Sequence, residues 1–194
     1  MQRFGGLTVL RAGERYRTDL PGVRSWHCFS AGSHYDPDNL SFGSVVGVDE
    51  HLVEPGAGFD WHAHRGVEIV SFVLDGVLRH ESDTDERLVS QGELLRQDAS
   101  DGLRHRETNG GDTPLRFVQT TWLAGAGTSL DLVHGAAARV SAPRAHLFVA
   151  RGAFGCNSGP ADDGVALRAG DSVRADGLVT LSGSGAVLVV RLAR

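Results

Sequence analysis

Nowhere does this 194-residue chain repeat apolar residues at the spacing of three and four that a long amphipathic helix would need. Short runs rich in β-branched and aromatic residues recur instead, cut by glycine, proline, aspartate and serine. Ser44 to Val48, Glu68 to Leu74, Val77 to His80, Glu93 to Arg96 and Leu115 to Leu123 are the strand candidates of the first half. Leu130 to Val133, His146 to Ala150, Val165 to Arg168 and Ala186 to Leu192 are those of the second. From Glu68 to Leu74 both faces are apolar after the first position, the pattern of a strand buried between two sheets. Asp75-Gly76 then offers the positive-φ residues of a tight hairpin turn. The expected fold class is all-β.

In such a chain a spacing of two acquires meaning, because residues two apart on a strand share a face. His62-Ala-His64 and His105-Arg-Glu107 are two such pairs. A lone His-x-His is usually incidental. Two pairs on facing strands, each near glycine turns, can aim three imidazoles and a carboxylate at one volume. That donor set suits a borderline divalent metal such as iron, nickel, copper, manganese or zinc. The alternative is that these are surface or hydrogen-bonded core histidines.

Gly56, five residues, His62-x-His64, three residues, Glu68 and a later Gly76 resemble the first motif of the cupin superfamily. Gly92, then His105, three residues and Asn109, resemble the second, although Gly76 lies one residue further from Glu68 than the general pattern allows. The wording His62-Ala-His-Arg-Gly-Val-Glu68, with Leu103-Arg-His105-Arg-Glu107, narrows the resemblance to the pirin family, best over residues 40 to 123.

The resemblance implies tandem jelly-roll cupin barrels, a bicupin. An N-terminal metal-binding domain would span residues 1–123, and a short degenerate barrel without metal residues 130–194. Ala124 to Ser129, a run of small residues, is the expected seam. Leu167-Arg-Ala-Gly170-Asp171 echoes Val89-Ser-Gln-Gly92-Glu93, which suggests an internal duplication, and no histidine follows His146. By the pirin pattern His62, His64, His105 and Glu107 are the metal ligands. Glu107 is then either the fourth ligand or a catalytic base that swings off the metal. Glu68 stands where the general cupin motif places a metal glutamate, but in the pirin pattern it falls outside the ligand set. Arg65 is expected as a salt-bridge partner and Asn109 as a turn cap. His27, His34, His51, His80, His134 and His146 lack paired spacing and are read as ordinary.

One divalent transition metal per chain is expected, iron ahead of nickel, copper, manganese, cobalt or zinc. Three imidazoles and a carboxylate would leave an octahedral metal two open positions, unlike a closed structural zinc site. By resemblance the activity is a quercetin 2,3-dioxygenase type of oxidoreduction, on dioxygen and a small aromatic, flavonol-like enol. The competing classes are a non-enzymatic metal-binding regulator with a protein partner, and a cupin that binds a small metabolite.

A net charge of -5 argues against a direct nucleic-acid partner. All 19 basic residues are arginine, which reads as compositional bias. Cys28 and Cys156 are isolated and read as a reduced pair. The N-terminus has no apolar signal-peptide core, and the longest apolar run, Ala186 to Val190, is too short to span a bilayer. Together these lead to the expectation of a cytoplasmic protein with no membrane partner.

Overall fold

The computed structural model describes residues 1–135, 137–159 and 164–193. Among them the chain forms strands β1 (Gln2–Phe4), β2 (Leu7–Leu10), β3 (Tyr16–Leu20), β4 (Val23–His27), β5 (Val45–Val53), β6 (Gly58–His64), β7 (Val67–Asp75) and β8 (Val77–Ser82). There follow β9 (Glu86–Ser90), β10 (Leu94–Ala99), β11 (Leu103–Asn109), β12 (Leu115–Leu123), β13 (Ser129–His134), β14 (Ala137–Asn157), β15 (Val165–Arg168) and β16 (Ser172–Leu192). A short 3-10 turn at Ala12–Glu14 is the helical content of the described residues. The all-β class expected from the alternation holds. No helix among the described residues is long and apolar enough to cross a membrane.

Two compact units result, one of Tyr16–Ser41 and Val45–Gly125, the other of Met1–Arg15, Phe42–Ser44 and Ala126–Arg194. The first unit, which holds both paired motifs, is built from two sheets. One is six-stranded, ordered β10-β7-β12-β5-β4-β3; the other is four-stranded, ordered β6-β11-β8-β9. Its core draws Val23, Val53, Val73, Leu95, Leu115 and Phe117 from the larger sheet and Leu78 and Val89 from the smaller. Burying each such side chain contributes about 1.5–3 kcal/mol, so this seam fixes which strand faces look inward.

One sequence expectation is corrected here. Asp75-Gly76 does not close a hairpin, because β7 pairs with β10 and β12 while β8 pairs with β9 and β11. The chain turns a corner from one sheet to the other. Gly76 makes this feasible, with φ of +81° and a position where a Cβ would lie 2.9 Å from Pro114 O. The turn residues were legible, but the partner across the turn was not, since hairpin and corner share the same turn chemistry.

In the second unit β14 and β16, 21 residues each, pair twice. Residues 144–148 of β14 lie between the two ends of β16, so the ladder folds back on itself around an apolar cluster. Residues 1–15, expected in the first module, belong instead to the second. In the structure β2 pairs with β16, so the N-terminal strands extend the sheet of the short C-terminal segment.

Candidate metal centre

The two motif segments become β6 and β11, hydrogen-bonded neighbours in the four-stranded sheet rather than strands facing each other across the core. His105 lies directly opposite His62, and Leu103 opposite His64. Members of a directly opposed pair share a face, so all three imidazoles project the same way. Ring centroids lie 4.4 Å apart for His62–His105, 5.0 Å for His62–His64 and 5.1 Å for His64–His105. One ligand atom from each lies within 4.8 Å of the other two.

A bulge then shifts the register, so that Glu107 pairs with Phe59. The extra residue lets the Asp60 carboxylate accept the Trp61 N–H at 2.7 Å while the Asp60 carbonyl faces His62 Nδ1 at 2.7 Å. Gly58 permits the close approach of β6 to β11, since a Cβ there would overlap Glu107 O and Thr108 Cα.

These contacts decide which ring nitrogens are free. A carbonyl only accepts, so His62 carries a proton on Nδ1, and its Nε2 is the nitrogen left for another partner. His105 Nδ1 lies 3.2 Å from His80 Nε2, leaving its own Nε2 buried with no hydrogen-bond partner, as is Nε2 of His64. Burial, then His62, His64 and His80, press His105 down to about 3; burial, then His62, lowers His64. Both imidazoles are therefore neutral near pH 7, the state that ligates a cation. Two buried orphaned nitrogens beside a third free one fit a divalent metal.

Glu107 lies two residues beyond His105 and is 2% exposed, but its carboxylate is outside the 4.8 Å group. Gln119 Nε2 donates to both oxygens at 3.0 and 2.9 Å, Ser71 Oγ to Oε1 at 3.3 Å and Gln97 Nε2 to Oε1 at 3.5 Å. These donors stand on β12, β7 and β10 of the opposite sheet. Glu107 thus spans the interior, from the histidine sheet to an amide-rich row facing it.

Sequence reasoning missed that row and His80. His80 is 5% exposed and shares the inward face of β8 with Leu78. Even spacing from Leu78 was its signal, but its partner could not be known without the order of β8 and β11. Glu68 sits three residues before Ser71 on a continuous ladder, and so on the opposite face of β7 from the one that meets Glu107. Asn109 organises its turn as expected, donating to Val53 O at 3.0 Å and Thr113 O at 2.8 Å while accepting from Gly111 N. Arg65 lies over Gly102, and among the described residues it forms no ion pair. His27 bridges Thr18 and Asp49, and His51 is held by Ser25 and pressed to about 4 by burial. His34 stacks on Tyr16.

A cavity of about 410 Å³ meets the cluster at His64, walled by Arg65, Asp83, Asp101, Leu103 and Arg104. Arg104 is tied to Asp83 at 2.9 Å and lies over Trp61. A larger hollow of about 620 Å³ lies on the outward face of β8 and β11, and its charged walls, Arg79, Glu81, Glu86 and Arg106, pair with one another. Of these two hollows, the smaller touches a candidate ligand, His64.

Comparison with known proteins gives this geometry a context. A Mycobacterium tuberculosis protein named "Putative quercetin 2,3-dioxygenase Rv0181c" is 40% identical over 113 residues, 57% of this chain and 46% of that protein. The quercetin 2,3-dioxygenase of Escherichia coli K12 is 31% identical over 114 residues, 58% of this chain and 49% of its own length. The chain therefore spans about half the length of the curated relatives it matches. The fold superposes on bacterial pirin YhhW from Escherichia coli, solved in complex with nickel(II), with a TM-score of 0.83 at 21% identity, covering 96% of this chain and 99% of that one. The Pirin family profile matches residues 9–123, more than half the chain and all of the candidate centre; the chain belongs to the Pirin family.

Proposed function

We propose that this chain holds one divalent transition metal on His62, His64 and His105, with Glu107 as fourth ligand or as base, and acts as a dioxygenase on a flavonol-like enol. The observation that carries this reading is the convergence of three imidazoles, each with a ring nitrogen within 4.8 Å of those of the other two. The relatives named as quercetin 2,3-dioxygenases support the substrate class, and the nickel-bound Escherichia coli pirin supports a metal. Iron leads the candidates, with nickel, copper, manganese, cobalt and zinc open to the same donor set.

When bound, the metal would polarise an enolic oxygen and bring dioxygen beside it. The chain's own residues orient and deprotonate. The charged wall at His64 favours a polyhydroxylated ring over a plain hydrocarbon one. Glu107 is the interior carboxylate nearest in sequence to the ligands, and it can take the hydroxyl proton at an oxygen now held by Gln119. Gln119 and Ser71 then keep the protonated acid in place.

The test is metal analysis of purified protein, followed by oxygen uptake with a panel of flavonols. Glu107→Gln should lower turnover by about 10² to 10⁴ with a far smaller change in substrate binding, because an amide accepts no proton there. Absence of oxygen uptake with iron, nickel, copper or manganese loaded would overturn the dioxygenase reading.

A further inference from the structure

We infer that His80 is a positioning residue of this metal centre: by accepting the Nδ1–H of His105 it fixes the tautomer and ring orientation that expose His105 Nε2. The inference rests on the metal-binding reading above and extends it to a residue outside the histidine group.

The contact is His80 Nε2 to His105 Nδ1 at 3.2 Å, between rings 5% and 0% exposed. A neutral imidazole has one N–H and one lone pair. For His105 to offer Nε2 to a cation, its proton must sit on Nδ1. That N–H is buried, and His80 Nε2 stands within hydrogen-bond reach to accept it. His80 must then carry its own proton on Nδ1. The two tautomers are locked together, each following from the other.

The sheet explains why His80 reaches this ring. β11 runs between β6 and β8, with His105 opposite Ser82 and Glu107 opposite His80. His80 thus sits diagonally behind His105, on the side away from His62, its ring centroid 5.2 Å from that of His105. A diagonal neighbour at that range is within reach of an aromatic side chain. His62 solves the same problem with the Asp60 carbonyl at 2.7 Å. The two rings differ in one respect. A backbone carbonyl accepts whatever the side chains are, whereas His80 accepts in one tautomer only and can be replaced.

Two variants separate positioning from packing. His80→Phe fills the space but accepts nothing. His80→Gln can present its amide oxygen to His105 Nδ1. In competition titrations with nickel(II) or zinc(II), His80→Phe should weaken metal affinity about 10- to 100-fold, the cost usual for losing such a partner. His80→Gln should recover most of that loss. Equal losses in both variants, or no loss in His80→Phe, would overturn the inference. Should the variants fail to fold, the wild-type protein decides. Nitrogen-15 NMR of the zinc-loaded form should show His105 protonated at Nδ1 and ligated at Nε2, with His80 protonated at Nδ1 and not at Nε2. A proton on His80 Nε2 would overturn it. Wild-type protein that takes up no metal would overturn both readings, whereas metal uptake indifferent to His80 would overturn this one alone.

Discussion

The two units carry the same turn and opposite interiors. In the first, Gly92 N donates to Val73 O at 2.9 Å, Val73 N donates to Glu93 O, and the Glu93 carboxylate accepts Ser90 N at 2.7 Å. In the second, Gly170 N donates to Val149 O at 2.8 Å, Val149 N donates to Asp171 O, and the Asp171 carboxylate accepts Arg168 N at 3.0 Å. Both glycines have φ of +87°. Counting outward from this shared anchor along the ladders, His62 matches Val140, His64 Ala142, His105 Val179 and Glu107 Leu181. His80 matches Cys156, Ser71 Leu147, Gln97 Ala175 and Gln119 Val189. Each second-unit counterpart belongs to its apolar cluster or packs against it. The same β framework is thus filled once with hydrocarbon and once with histidines, amides and a buried carboxylate. Hydrocarbon needs no partners, whereas every polar group inside costs free energy unless paired. The polar interior is what a site requires, and stability alone would not select it.

The largest test of that contrast is metal content. His62→Ala with His105→Ala should take bound metal from about one equivalent to none, because two of three converging nitrogens are gone. A full equivalent retained in the double variant would break the comparison, since the metal would then lie outside the histidine cluster.

A smaller effect sharpens it from the opposite direction, by giving the first unit the residues of the second. Gln119→Val removes two hydrogen bonds, at 2.9 and 3.0 Å, from a carboxylate 2% exposed. In metal-free protein this should cost about 2–3 kcal/mol in urea unfolding, since charge-assisted bonds to a buried group are lost. Glu107→Leu added to it should restore part of that loss. Removing both partners removes the unpaired charge, and the pair becomes the Leu181–Val189 combination already tolerated next door in sequence. Additive losses would show that Glu107 is stabilised by something other than Gln119.

The sequence made the all-β class legible, because strand alternation and turn residues act locally. Val165–Arg168 was read to its boundaries, and β12 likewise, from Leu115 to Leu123. The three histidines were legible for the same reason, since a spacing of two needs only a strand to become a shared face. Three things were not legible, and all depend on which strand lies beside which. Gly76 looks like a hairpin residue until β7 and β8 are seen in different sheets. Residues 1–15 look like the start of the first module until β2 is found on β16. His80 looks ordinary until β8 lies against β11, and Gln119 and Ser71 look ordinary until two sheets close around Glu107. Local chemistry sets the elements, while pairing over long separations sets the site.

The smallest expected effect separates the shared turn from its surroundings. Gly92 and Gly170 share a backbone conformation that L side chains rarely adopt, so alanine at either should cost about 1–2 kcal/mol of strain. Beyond the backbone the two positions differ. A Cβ on Gly92 would meet nothing within 4 Å, whereas one on Gly170 would lie 2.8 Å from both Ala12 Cβ and Arg15 Nη2. The guanidinium can move aside, but Ala12 Cβ is fixed to the backbone. Gly170→Ala should therefore lower the urea midpoint more than Gly92→Ala, by a further ~1 kcal/mol or more from overpacking. Arg11 and Ala12 bond the Asp171 carboxylate at 2.9 and 2.8 Å, so a displaced Ala12 should also weaken the attachment of the N-terminal segment. Faster hydrogen exchange at Ala12 and at the β2–β16 ladder in Gly170→Ala, absent from the counterpart ladder in Gly92→Ala, is the expected signature. Equal midpoints in the two variants would mean that the N-terminal segment adds nothing to that turn, and the likeness between the units would then extend to the surroundings as well as the backbone.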